Sequence, residues 1–275
     1  MLFFGKETKR LITVYSNGTA MIQAYADYLN TNPYLSQWFF VDGPLITKPD
    51  RQNYAVSAGT AAAPLLCVRV APFSTVLFGD PDAAAELLDF LLAEDYEISR
   101  FLTSETVGDA AVRYLWERHG LRYQEALGMD FMEAREITEP SCDAVSAPES
   151  EDLPEIIECL ENFILDCGLE DSVDEASQRE TLSDFRILRA DGKIASMAKL
   201  ARRDAPFDTI TNVYTRPEYR GHGYARKVVN NLKNEIVSAG KIASLTVDKK
   251  NPVSNRLYES LGFQRLFAQG EYRRV

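Results

Sequence analysis

Along residues 224–238 apolar positions recur at Val228, Val229, Leu232 and Ile236, with Lys227, Asn230, Asn231, Lys233 and Asn234 between them. That is the period of a helix with one apolar face and one wet face. The helix begins near Gly223, and just upstream TITNVYT (209–215) alternates β-branched and aromatic residues as a strand does. The segment therefore reads strand, glycine-rich turn, helix. Further on, KIASLTVD reads as a strand, SNRLYESL as a helix and FQRLFAQGEYRRV as closing strand structure. Upstream, DLPEIIECLENFIL and VDEASQRETL have helical spacing, and FRILRAD and KIASMAKLARRD read as strands joined by a turn at Asp191-Gly192.

The first part of the chain follows the same logic. MIQAYADYL predicts a helix, YAVSA, LLCVRVA and STVLFG predict strands, PDAAAELLDFLL a helix, EISRFLT a strand and VGDAAVRYLWERH a helix, with a last strand pair over 122–134. The segment TEPSCDAVSAPESED (138–152) collects Pro, Ser and acids, although DAVSA inside it has the pattern of a strand. A boundary near 140 divides the chain into 1–139 and 140–275. Each half is α+β, with a mostly antiparallel sheet between helices, and the order of elements recurs as if one fold were used twice. Trp38, Phe39, Phe40, Tyr114 and Trp116 read as core and domain-interface filling.

Charge and composition narrow the chemistry. The 275 residues carry a formal net charge of −11, which disfavours nucleic acid and anionic membranes as bulk partners. MLFFGKETKR lacks a signal pattern and no later apolar run could span a bilayer, so the expected location is the cytoplasm. Cys67, Cys142, Cys159 and Cys167 form no CxxC pair, and His119 and His222 are too few for a histidine-rich metal site, so no metal is expected. His119 ends a predicted helix and reads as a C-terminal cap residue.

The turn YRGHGYA carries the chemical suggestion. A helix N-terminus has unpaired N–H groups and a partial positive charge, and glycines let an anion come close to the backbone, so a phosphate fits there. A glycine turn that only closes helix onto strand has the same local sequence.

TNVYTRPEYRGHGYARKVVNNL followed by TVDKKNPVSNRLYESLGFQRL resembles the GNAT superfamily of acyl-CoA-dependent N-acyltransferases. Arg220, Gly223 and Ala225 fill the family's Arg/Gln-x-x-Gly-x-Gly/Ala turn, and Asn251, Tyr258 and LYESLGF fill its second signature. The resemblance covers the last half of the chain. It implies acetyl-CoA as cosubstrate, an amine acceptor that is a small molecule or a peptide, and a chain that is an N-acetyltransferase. A homodimer is left open, and a CoA-binding or assembly module without turnover is the alternative.

By the same resemblance, main-chain groups of Val213, Tyr214 and Thr215 hold the pantetheine, and Arg220, Gly221, His222, Gly223, Tyr224 and Ala225 cradle the pyrophosphate. Asn251 and Asn255 assist, Asn255 having helix capping as an equal alternative. Tyr258 is the general acid toward the departing thiolate, against a reading in which it packs with Leu257 and Leu261. Asp208, Asp248, Glu180 and Glu218 are candidate bases, and the acidic, aromatic stretch ENFILDCGLEDSVDE within 152–185 is the expected acceptor side. In the first half, acids in GDPDAAAELL stand where a pyrophosphate would sit, so that half is expected to be a degenerate, GNAT-like domain without cofactor.

Overall fold

The computed structural model describes residues 12–168, 172–201 and 206–275. The opening MLFFGKETKR, residues 169–171 of the expected acceptor stretch and residues 202–204 at the end of KIASMAKLARRD lie outside them. Two compact units are present, Met1–Met129 with Phe267–Val275, and Asp130–Leu266.

In the first unit β1 (Thr13–Val14) is followed by α1 (Gly18–Ala24), α2 (Ala26–Asn30) and α3 (Pro33–Asp42). The expected helix MIQAYADYL is thus broken at Tyr25, whose backbone leaves helical geometry. The unforeseen α3 has a clear start, since Asn32 accepts the Leu35 N–H at 3.2 Å and Pro33 stands at its first turn. Its apolar residues ring the helix, so no helical period marks it in the sequence. Phe39 is in the core, whereas Phe40 and, further on, Trp116 are exposed. Strands β2 (Tyr54–Gly59), β3 (Pro64–Arg69) and β4 (Thr75–Gly79) form an antiparallel meander. Helix α4 (Ala84–Ala93) then carries the chain to β5 (Arg100–Ser104), parallel to β4, and α5 (Glu105–His119) and β6 (Tyr123–Ala134) follow.

His119 does not cap α5. Gly120, at φ +66°, ends the helix, and His119 Nε2 lies 2.7 Å from Asp89 Oδ1 of α4. β6 is one continuous strand where a pair was expected; it begins among first-unit core residues at Tyr123 and ends among second-unit core residues at Met132 and Ala134. The limit between the two compact units, Met129/Asp130, falls within this strand.

The second unit holds β7 (Val145–Ser146), α6 (Leu153–Asp166), α7 (Glu175–Glu180), β8 (Phe185–Ala190), β9 (Lys193–Ala201), β10 (Phe207–Thr215), α8 (Tyr224–Ser238), β11 (Ile242–Asp248), α9 (Pro252–Ser260) and β12 (Gln264–Arg274). β8, β9 and β10 form an antiparallel meander, turning at Asp191 and Gly192 with φ of +50° and +79°, and β11 runs parallel to β10. The order of strands and helices from β8 to β12 repeats that from β2 to β6. β12 belongs to both units: its second half pairs with β5 of the first, Gln269 opposite Ser104 and Arg273 opposite Arg100.

Val228, Val229, Leu232 and Ile236 of α8 are buried against Leu245, Val247 and Phe263, as their spacing predicts. The other face is wet only in part, at Lys227. Asn230, Lys233 and Asn234 are buried as well, because residues 138–142 lie over them. Asn230 donates to Pro140 O at 2.9 Å, Asn234 to Glu139 O at 2.9 Å and Lys233 Nζ to Thr138 Oγ1 at 2.7 Å. Amide side chains thus satisfy the carbonyls of a segment that its composition marked as a linker. Cys67 and Cys159 are buried, Cys167 is exposed, and all four cysteines are free.

Candidate active site

Strand β10 sets up the site by leaving its partners. It pairs with β11 only from Phe207 to Thr209, and against β9 its register slips between Thr211 and Tyr214. Asn212 takes up the extra residue with φ +51°, a left-handed conformation that asparagine tolerates better than most residues. Arg216 N–H donates to Ala195 O of β9, so by strand alternation the Val213 and Thr215 main-chain groups face the side from which β11 has departed. The Tyr214 main chain faces β9, its carbonyl accepting from Ser196 Oγ at 3.1 Å, and its side chain packs with Ile156 and Cys159 of α6, so neither lies on the open edge where the sequence reading placed it.

The chain then makes one 3-10 turn, Pro217–Tyr219, and enters α8 through Arg220–Gly223. Gly221 and Gly223 have φ of +82° and +74°, and a Cβ added at either would meet nothing within 4 Å. Glycine is required here by conformation, and the face it presents is open. No side chain caps the N-terminus of α8 and its first turn holds no acid, so the N–H groups of Tyr224, Ala225 and Arg226 remain for a ligand. His222 folds back onto the turn, its Nδ1 3.0 Å from Arg220 O and its ring stacked on Tyr224 at 5.7 Å.

The corresponding turn of the first unit is closed. Asp80 Oδ1 accepts the Asp82 N–H at 3.0 Å, Asp82 stands in the same turn, and a Cβ on Gly79 would lie 2.0 Å from Pro64 O. A carboxylate of the chain itself takes the place that an anion would need.

Arg220 faces two ways: Nε donates to Thr215 O at 3.0 Å, and Nη2 pairs with Asp166 at the end of α6 at 2.5 Å. Below it Arg216 is buried, donating to Ile194 O at 3.0 Å, to both oxygens of Glu158 at 2.8 and 3.0 Å and to Glu155 at 3.2 Å. This network fixes α6 to the root of the turn. Sequence reasoning passed over it, although its signal was present: Glu155 and Glu158 are three apart on one helix face, opposite an arginine that precedes a proline.

Helix α9 supplies the remaining residues. Asn251 Oδ1 caps it by accepting the Ser254 N–H at 3.1 Å, and Asn255 Nδ2 donates to Asp248 O at 3.0 Å and Asn251 O at 2.8 Å. Asn251 is therefore the cap, and Asn255 braces the loop from β11. Tyr258 is 6% exposed and shares an apolar cluster with Leu261, Val213 and Tyr224. Burial pushes its phenol up to about 12, with a smaller contribution from Cys167, and its hydroxyl makes no hydrogen bond to a described residue. Although Cys167 is exposed at its surface, partial desolvation raises its thiol, aided by Asp166 and Asp248, and Cys167 in turn acts on Tyr258, so the end of α6 lies in the electrostatic neighbourhood of Tyr258. Arg226 ties the first turn of α8 to α9 through Ser260 Oγ at 2.5 Å.

Of the candidate bases, Asp208 is buried and paired with Lys241 at 2.9 Å, at the far end of β10 from Val213. At about 3.3 Å per strand residue it lies roughly 16 Å from the open main-chain groups, too far to receive the acceptor's proton. Glu180 and Glu218 are exposed, and Asp248 is half-buried with one oxygen accepting the Lys250 N–H at 2.8 Å. Among the described residues no group of His, Cys, Asp and Glu is arranged to hold a metal ion, and no helix is long and apolar enough to cross a membrane.

Residues 188–273 match the FR47-like protein family, which is related to GNAT. No curated protein matched the chain. Among solved structures, a protein described as a GNAT-family acetyltransferase from Novosphingobium aromaticivorans is 25% identical over 76% of this chain and 88% of its own, with a TM-score of 0.50. A GNAT-family acetyltransferase from Colwellia psychrerythraea, 12% identical, covers 96% of this chain and 99% of its own at a TM-score of 0.64. A tandem GNAT protein from the clavulanic acid biosynthesis pathway, 10% identical, covers 97% and 98% at 0.56. The chain thus has the fold of the GNAT-family acetyltransferases, with an FR47-like match over 188–273 of its second unit and a preceding α+β unit whose sequence has no Arg-x-x-Gly-x-Ala turn.

Proposed function

We propose that the second unit is an acyl-CoA-dependent N-acyltransferase that moves an acetyl group from acetyl-CoA to a primary amine, and that the first unit binds no cofactor. The observation that carries this reading is the uncapped, acid-free N-terminus of α8, reached through two left-handed glycines at the end of a strand that has parted from its neighbour. Such a site suits a pyrophosphate followed by an extended amide chain. Gly221–Ala225 N–H groups hold the pyrophosphate, and main-chain groups of Val213 and Thr215 hold the pantetheine. The bound thioester supplies the activated acyl group.

The protein's own residues then divide the remaining work. The Val213 N–H polarises the acyl carbonyl oxygen, Tyr258, kept protonated by burial, gives its proton to the departing sulfur, and the proton lost by the attacking amine passes to water, from which the phenolate is reprotonated. Asn251 and Asn255 act by holding α9, and with it Tyr258, in place. The four free cysteines suit a reducing compartment, which we take to be the cytoplasm.

Release of free thiol from acetyl-CoA in the presence of a panel of primary amines tests the reading. Amine-dependent release supports it. Binding of acetyl-CoA without release by any amine would make the unit a CoA-binding module instead, and absence of binding would overturn the assignment.

A further inference from the structure

Arg220 is the cation of the pyrophosphate turn, yet its guanidinium already has partners. Nε is bonded to Thr215 O, a main-chain acceptor on the open edge of β10, and Nη2 to Asp166. Asp166 is the last residue of α6, the helix that Arg216 anchors through Glu155 and Glu158 farther back. The pair is about half exposed on both sides, so water can replace either partner at small cost. A pyrophosphate carries more charge than a carboxylate and would approach the same guanidinium from the open face of Gly221 and Gly223. Of the guanidinium nitrogens only Nε and Nη2 are engaged among the described residues, and a phosphate that takes the Nη2 edge competes with the carboxylate for it.

Resting on the reading of the turn as a pyrophosphate site, we propose that Asp166 positions Arg220 in the free protein and is displaced from it when a pyrophosphate fills the turn. Cofactor binding then exchanges one ion pair for another at Nη2, and the end of α6 loses its tie to the turn. Asp166 touches no reacting atom; it acts through Arg220.

A double-mutant cycle separates this exchange from simple repulsion. CoA and, as a second probe, inorganic pyrophosphate are titrated calorimetrically into the wild type, Asp166→Asn, Arg220→Gln and the double variant, with circular dichroism confirming the fold. Removing the competing carboxylate should tighten binding of both probes up to about fivefold in the Arg220 background, the size of an exposed ion pair. It should do nothing in the Arg220→Gln background. Equal tightening in both backgrounds would mean that Asp166 merely repels the anion, and unchanged or weaker binding would make the pair a passive surface contact; either result overturns the proposal. If pyrophosphate follows the cycle while CoA does not bind, the exchange stands and the acyltransferase reading falls. If neither probe binds, both fall.

Discussion

Replacing Tyr258 by Phe removes one oxygen and keeps the ring in its apolar cluster, so it separates chemistry from packing. The hydroxyl has no hydrogen bond to a described residue, so its loss should change stability at neutral pH by less than about 1 kcal/mol. Acetyl-CoA affinity should stay within about twofold, because the proposed binding groups are on β10 and the turn. Turnover should fall by about one to three orders of magnitude, the range for loss of one general acid. Stability gives an independent check of the burial. The folded phenol titrates near 12 against an ordinary 10, so its neutral form stabilises the fold fully below pH 10, and that contribution is lost as pH rises through 12. For a side chain this deeply buried the difference amounts to about 3 kcal/mol. Wild type should therefore lose that much relative to the Phe variant between pH 10 and 12 in paired urea titrations. A folded Tyr258→Phe protein with wild-type turnover from neutral to alkaline pH would refute the assignment of the acid. An unchanged stability difference across pH 10–12 would refute the burial.

Other outcomes follow from the same geometry. Gly223→Asp puts a side chain at φ +74° and a negative charge at the N-terminus of α8, and should weaken acetyl-CoA binding more than about tenfold while circular dichroism is unchanged. Arg216→Ala removes a buried guanidinium's hydrogen bonds to Glu158, Glu155 and Ile194 O, leaves Glu155 paired with Arg189 at 3.5 Å, and should cost about 1–3 kcal/mol in urea unfolding, whereas Glu158→Gln, which retains hydrogen-bonding atoms, should cost less. Burial lowers the Lys233 pKa, so the unfolded chain holds that proton more tightly and wild-type stability should rise as pH climbs toward 10.5. Lys233→Met should lack that rise and be within about 1 kcal/mol of wild type at neutral pH, read by thermal melts at several pH values.

The elements that could be read from the sequence are those whose signal is local. The alternation of TITNVYT, the glycines of RGHGYA and the apolar stripe of α8 each follow from a short stretch of chain, and each stands where expected. What escaped depends on distant partners. The polar face of α8 looked solvated because nothing in KVVNNLKNEI reveals that 138–142 would lie over it and accept hydrogen bonds from Asn230, Lys233 and Asn234. The same segment looked like a linker because Pro and Ser do not announce that an irregular stretch will cover a helix face. α3 has no apolar period to detect. At the proposed site, the turn and Tyr258 are marked by a local motif, while the Asn212 bulge, the Arg216 network and the Asp166 partner of Arg220 arise from register and from α6, which no single stretch encodes.

The central claim is an asymmetry: α8 presents an open N-terminus to an anion and Asp80 closes the equivalent turn before α4. Calorimetric titration of the full chain with acetyl-CoA tests it most directly. One molecule bound per chain is the predicted result; two equivalent sites per chain, or no binding at all, would contradict it.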